Sequence, residues 1–357
     1  MKKLYIIFIA LFLLSFPALG GYIFASGNRE FSENENRMLK TRDQISFDVL
    51  SGDFQKDIES YLSDQFPGRD GVVTAQTRLR RMLGRTDAGG AYFCGNGRLM
   101  QKITDADVDV AAVEKDAGRY ARLAEKTGKP VTLCPVPSAG IALPDLLPTG
   151  APMYHADALL SLIRNAAGAA SVLDLRDALS GNEAFYYKTD HHWTSLGAYE
   201  AYRAIRESDG KQPAALDEFG VTTAAEDFRG SLFSKAPDDR IPGEPISIAK
   251  IDARVRVTAD GEEITFYDRG ALQTKDKYNV FLAGNHGIVI VENPDASGGG
   301  TLLLIKDSFA NSLMQFLVHD YGKIIMIDER YAAVNPAQIA AEENVDEILV
   351  VKELSSF

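Results

Sequence analysis

A chain of 357 residues, 45% hydrophobic and 25% charged, can bury a sizeable core and sits close to the globular average, which excludes wholesale disorder, collagen-like repeats and a polytopic membrane protein. Its 38 Lys+Arg against 50 Asp+Glu leave a net charge of −12, which argues against a nucleic-acid partner, because phosphate backbones are bound through Lys and Arg. Cys94 and Cys134 are the only cysteines, too few for a disulfide framework or a Cys-rich zinc site; they read as small buried hydrophobes, with a single disulfide as the alternative.

Lys2 and Lys3 precede an uncharged stretch from Leu4 to Asn28, rich in Ile, Leu, Phe and Ala. As a helix it is about 37 Å long, enough to cross a hydrocarbon core of about 30 Å. The lysines predict a cytoplasmic N-terminus with the rest of the chain outside. Two readings stand: a retained membrane anchor, or a signal peptide cut after Gly20, since Ala18-Leu19-Gly20 has small residues where a cleavage site needs them. Either way the body belongs to the cell envelope. A polar, charge-rich linker follows (28–37). Phe54, Ile58, Tyr61 and Leu62 then share one helical face over 54–63, and a second helix is expected over about 72–82.

From Ala91 the pattern changes. Residues 91–94 and 98–100 around Gly95-Asn-Gly97 predict a hairpin. A helix over about 107–126, a strand over 130–136, a helix over 156–167 and a strand over 171–175 come next. After residue 300 the alternation returns, with strands over 301–305, 323–327 and 347–351 and helices from Ser308 and near Ala337. Short apolar runs alternating with helices predict an α/β fold, a doubly wound parallel sheet covered on both faces. Between about 210 and 279 the rhythm breaks into polar sequence with strand-like pieces (246–251, 255–258, 263–267), expected as a β-rich insertion. The organisation read from the chain is an anchor or signal peptide (1–28), a juxtamembrane linker with helices (29–85) and the α/β domain (86–357).

Asp190-His191-His192-Trp193 carries the first chemical signal, just before a helix capped by Thr194. In extended chain an Asp and a His two apart project to one side. Asp190 can then fix the tautomer of His192 and stabilise it as a general base, while His191 points away; satisfied loop histidines are the plainer alternative. His155, His286 and His319 are scattered along the chain, so no metal site is expected. Ser308 supplies a nucleophile: it follows a buried strand and opens a helix, at the carboxyl edge where parallel sheets build their sites and beside free helix amides. The plainer reading is a helix N-cap. A third piece, 278–287, reads as an apolar strand ending in Gly284-Asn285-His286-Gly287. Here the Asn285 amide is a candidate oxyanion donor with Gly284 beside it, or an ordinary turn asparagine.

Asp190-His-His-Trp193 with Thr-Ser-Leu-Gly-Ala after it, Phe281-Leu-Ala-Gly-Asn-His286 and Lys306-Asp-Ser-Phe-Ala-Asn-Ser312 resemble the DHHW family, which is related to the SGNH-hydrolase-like domain of the alginate O-acetylation proteins. Ser32-Glu-Asn-Glu-Asn-Arg37, Asp64-Gln-Phe-Pro-Gly-Arg69 and Asp328-Glu-Arg-Tyr331 extend the resemblance over nearly the whole chain past residue 30. It implies an exported SGNH-hydrolase-like fold with Ser308 as nucleophile, His192 as base and Asp190 as its orienter. Two departures stand out: Lys306 where SGNH enzymes carry Gly before Asp-Ser, and an Asp-to-His spacing of two instead of three.

The expected activity is acetyl transfer onto, or off, an exported polysaccharide or cell-wall glycan, without a cofactor. Asn285 and the Ser308 amide would hold the oxyanion. Arg330 and Tyr331, after the strand ending at Ile327, would face the same mouth or be ordinary surface; Trp193 would stack on sugar or pack in the core. The resemblance implies a membrane-bound O-acyltransferase as acetyl donor. An acetylesterase and a glycan-binding assembly factor without turnover are the alternatives. The acidic body favours a neutral or amino-sugar acceptor, since like charge slows encounter.

Overall fold

The computed structural model describes residues 2–32, 37–251 and 254–357, so residues 33–36 of the 32–37 motif lie outside the described residues. The chain divides into two compact units, Met1–Met82 and Leu83–Phe357.

In the first unit, α1 (Lys2–Ala25) is long and apolar enough to cross a membrane and almost entirely exposed. Its end is held. Ile23 is buried in a cluster with Ile45 and Tyr61, Tyr61 donates to the Ile23 carbonyl at 3.3 Å, and Arg42 donates to the Phe24 carbonyl at 3.1 Å. The helices α2 (Asp53–Asp64) and α3 (Arg69–Met82) follow, separated where Gly68 adopts φ 69°. Asp64 is buried and accepts from both terminal nitrogens of Arg37 at 3.0 and 2.5 Å and from the Lys40 amide at 2.8 Å. These motif residues therefore staple the unit together.

The second unit opens with a three-stranded antiparallel sheet of residues 87–88, 91–93 and 99–101. In chain order come α4 (Val110–Thr127), β1 (Val131–Val136), α5 (Ala156–Ala166), β2 (Ser171–Val172), α6 (Ser195–Ser208), β3 (Thr222–Phe228), β4 (Glu244–Ile248), β5 (Arg256–Ala259), β6 (Glu262–Ile264), β7 (Ile288–Glu292), β8 (Thr301–Lys306), α7 (Phe309–Leu317), β9 (Lys323–Ile327), α8 (Pro336–Glu342) and β10 (Glu347–Glu353). The main sheet has the order β6-β5-β7-β9-β8-β10-β1-β2. From β9 to β2 every pairing is parallel. Both faces are apolar there because alternate residues feed opposite cores: Leu302 and Leu304 join the cluster containing α6 and α7, while Leu303 and Ile305 join the one containing α4 and α5. Cys94 and Cys134 are both buried and free.

Three expectations need correction. The sheet is mixed, because β7, β5 and β6 extend it antiparallel beyond β9; hydrophobic periodicity carries no strand direction. The segment read as an insertion accordingly splits. Its β5 and β6 belong to the main sheet, whereas β3 and β4 form a separate antiparallel pair. Residues 278–283 are not a strand: Lys277–Val280 is a 3-10 turn, and Leu282 and Ala283 stand at φ 57° and 56°.

Candidate active site

Ser308 leaves the carboxyl end of β8, in the middle of the sheet, where the connection to β9 runs over one face and that from β9 to β10 over the other. Its side chain makes no capping bond to α7. Asp307 fills that role by accepting from the Phe309 amide at 2.9 Å, and its second oxygen accepts from the Glu353 amide at 2.7 Å. Relieved of capping, Ser308 Oγ lies 2.7 Å from His192 Nε2.

His192 belongs to a bend and not to an extended strand. Asp190 Oδ1 accepts from the His192 backbone amide at 2.9 Å and from Nδ1 at 2.6 Å. This local turn, closed by the aspartate side chain, is what puts the two residues together at a spacing of two. An ionised carboxylate only accepts, so Nδ1 carries the proton and Nε2 is left to accept from the Ser308 hydroxyl. Asp190 is buried; burial opposes its ionisation, but His192, His191 and the Ser231 amide at 2.7 Å outweigh it and hold the carboxyl well below the usual range. Gly230 permits that approach, since a Cβ there would fall 2.2 Å from Asp190 Oδ2.

His191 does not point away as extended chain would require. Its ring lies 3.8 Å from that of His192, and Nδ1 shares a 2.7 Å hydrogen bond with Ser231 Oγ. Burial, with His192, Lys235 and Arg330 beside it and the Asp190 carboxylate opposing, pushes the imidazole down to about 3. The ligand atoms of Asp190, His191 and His192 all fall within 4.8 Å of one another, a convergence the scattering of the other histidines concealed. Two of those atoms, Asp190 Oδ1 and His192 Nδ1, already bond each other; a cation would have to break that pair.

Tyr278 is a residue that the sequence reading passed over. Its ring stacks on His192 at 3.9 Å and 2°, and its hydroxyl bonds the Ser308 carbonyl at 3.2 Å and Ser312 Oγ at 3.0 Å. Glu244 was also missed: it accepts from the Lys188 and Thr189 amides, both at 2.7 Å, and so ties β4 to the Asp-His-His-Trp bend. Neither has a local signal, because each acts from a distant segment.

Around Ser308 the sequence-derived residues separate into two groups. Asn285 is exposed, its Oδ1 accepting from Asn311 Nδ2 at 3.1 Å, which leaves its own amide hydrogens as donors. The Ser308 backbone N–H donates to no acceptor among the described residues. Gly284 has no free group: its amide donates to the Phe281 carbonyl and its carbonyl accepts from Asn311. With φ 100° it completes three consecutive left-handed residues, a conformation that non-glycine residues hold only at a cost of about 1–3 kcal/mol each. Arg330 and Tyr331 are exposed; Arg330 grips Asp328 through two nitrogens at 2.8 and 2.6 Å and lies over the Tyr331 ring at 5.4 Å. Trp193 offers no stacking face: it is fully buried, donating to the Phe309 carbonyl at 3.0 Å and Ser312 Oγ at 2.8 Å. Lys306 too is buried, 2.8 Å from Asn311 Oδ1 and 3.4 Å from Asp328 Oδ2. Its side chain leaves the nucleophile turn for the core, which reconciles a lysine with that turn.

The family whose model matches is that of the DHHW proteins, over residues 158–327, a span that includes the Asp190–Trp193 block, Asn285 and Ser308. Over that span the chain is similar to the DHHW proteins. Among solved structures, a DHHW-family protein from Eubacterium siraeum superposes with a TM-score of 0.63 at 23% identity, covering 76% of this chain and 92% of that one. Bacillus cereus PatB1, solved with a sulfonyl adduct, gives 0.61 at 20% identity over 72% and 92%. The O-acetyltransferase domain of Pseudomonas putida AlgJ gives 0.47 at 16% over 75% and 93%. No curated protein sequence matches. The fold of this chain is thus the SGNH-like α/β fold, with a mixed, mostly parallel central sheet.

Proposed function

We propose that this protein is an extracytoplasmic serine acyltransferase that moves acetyl groups on an exported polysaccharide or cell-wall glycan. The observation that carries the reading is the continuous chain Ser308 Oγ–His192 Nε2 at 2.7 Å and His192 Nδ1–Asp190 Oδ1 at 2.6 Å. In this reading Ser308 attacks an acyl carbonyl while His192 takes its proton. Asp190 stabilises the resulting imidazolium, and the Ser308 amide and Asn285 side chain hold the oxyanion. His192 then returns the proton to the leaving group, and a sugar hydroxyl or water resolves the acyl-enzyme. The acetyl group, and a membrane-bound O-acyltransferase to deliver it, rest on the family resemblance. A hydrolytic outcome, an acetylesterase, differs only in whether water or sugar arrives second.

The reading includes retention of α1 as an anchor. What supports it is that the last turn of the helix is held within the first unit, with Ile23 buried and its carbonyl accepting from Tyr61.

The test uses the full chain in detergent with a sulfonyl fluoride and an activated acetyl ester. Wild type should be labelled at Ser308, Ser308→Ala should not, and His192→Ala should react about 10²–10⁴-fold more slowly, the usual worth of a positioned general base. Equal reaction of all three would sink the triad, and sensitivity to a chelator would redirect attention to the Asp190–His191–His192 ligand atoms. Glycan binding with no labelling at Ser308 would favour the non-catalytic assembly factor.

A further inference from the structure

The segment that closes over the Asp-His-His-Trp bend is Arg229–Lys235. Gly230 packs on Asp190, Ser231 bonds both Asp190 and His191, and the Phe233 amide donates to the Thr189 carbonyl at 3.0 Å. It brings unusual charge with it. The Arg229 guanidinium and the Lys275 ammonium lie 4.9 and 4.6 Å from the centre of the one buried Phe233 ring. Lys275 is three residues before Tyr278, which stacks on His192. Lys235 is close enough to His191 for its charge to lower that imidazole.

Among the described residues none of these three cations makes an ion pair or a side-chain hydrogen bond. Three acids of the neighbouring segments are already committed. Asp227 faces Lys277 at 3.5 Å, Asp238 holds Arg240 through two nitrogens, and Glu244 is spent on the Lys188 and Thr189 amides. Burial, together with Arg229, pushes the Lys275 ammonium down to about 8, with Asp276 opposing, the direction burial imposes on a cation. Two like charges at one ring repel, and an anion that reaches both relieves that repulsion.

We propose that Arg229, Lys275 and Lys235 form an anion subsite that holds a carboxylate or phosphate of the glycan beside Ser308. A guanidinium supplies a fork of donors and an ammonium a point charge, the pair that suits either anion. The net charge of the chain points to a neutral acceptor, but local charge at the mouth governs what docks there. The inference rests on the acyl-transfer reading only in placing the reacting hydroxyl at Ser308.

Binding is measured with full-length Ser308→Ala protein in detergent, so the result stands whether or not acyl transfer is the reaction. The probes are trigalacturonate, its fully methyl-esterified counterpart and a trisaccharide carrying one sugar phosphate. At least one charged probe should bind about tenfold more tightly than the neutral ester, or ~1.4 kcal/mol. That preference should fall with added salt, disappear in Arg229→Gln/Lys275→Gln, and survive in Arg229→Lys. The better charged probe identifies carboxylate or phosphate. Equal binding of charged and neutral probes, no binding of any probe at millimolar concentration, or a preference that persists in the folded double variant would each overturn the subsite. Unlabelled Ser308 in wild type would instead sink the acyl-transfer reading and leave this result untouched.

Discussion

Trp193 donates its indole N–H to both the Phe309 carbonyl and Ser312 Oγ from a fully buried position. Trp193→Phe should therefore lower stability by about 1–3 kcal/mol, the cost of leaving buried polar atoms unpaired, seen as a lower urea midpoint; a weakened glycan affinity at unchanged stability would restore a sugar-stacking role. His191 sets a pH dependence. Unfolded, it takes up a proton near its ordinary value of about 6.5; folded, only near 3. Between those values the unfolded chain binds the extra proton, so this contribution to stability is complete above about pH 6.5 and is lost as the pH falls toward 3. Asp190, also held low, adds a loss of the same sign below the usual carboxylate range. The urea midpoint of His191→Asn should fall less than that of wild type between pH 7 and pH 4, and parallel profiles would contradict the burial argument.

The β8–α7 turn carries a charged side chain that is buried rather than solvated. Where SGNH enzymes place Gly, Lys306 sends its ammonium into the core to Asn311 and Asp328, and Asn311 in turn supports Asn285 and the Gly284 carbonyl. Burial pushes the Lys306 ammonium down from its ordinary value, with Asp328 opposing. Breaking a buried charged pair usually costs about 3–5 kcal/mol, and Arg330 stays on Asp328 in the variant, so Lys306→Met is expected at the low end of that range by chemical denaturation. The folded fraction should still be sulfonylated at Ser308. Loss of labelling in folded protein would make Lys306 a positioning residue, acting through Asn311 on Gly284 and Asn285.

At the scale of the molecule, the chain combines a membrane-competent helix with an α/β body, and each unit is internally tied. Ile23 and Phe24 are held within the first unit by Tyr61 and Arg42. The expected outcome is that the native protein stays in the membrane fraction after alkaline washing and has the mass of the uncut chain. A soluble product beginning at Gly21 would show the segment to be a signal peptide. The parallel half of the sheet, the helix over 195–208 and the strand-turn-helix around Ser308 were all legible, because each is a local pattern of period 2 or 3.6. The direction of β5 and β6 was not, because an apolar alternation is the same read either way, and β7 was not read as a strand at all.

The sequence by itself marked Asp190, His192 and Ser308 as candidates for a relay, since each sits in a recognisable local setting. Only the tertiary structure decided what surrounds them. His191 turned in beside His192, because an aspartate-closed bend replaced extended chain. Trp193 went into the core, because its N–H found two acceptors on α7. Tyr278, Ser231 and Glu244 reached the bend from segments 40 or more residues away in sequence. Charge divided in the same way: composition fixed an acidic chain, but folding brought Arg229 and Lys275 to one phenylalanine ring and Lys235 near His191. Pairing across the chain is a property of contacts, and no count along a sequence contains it.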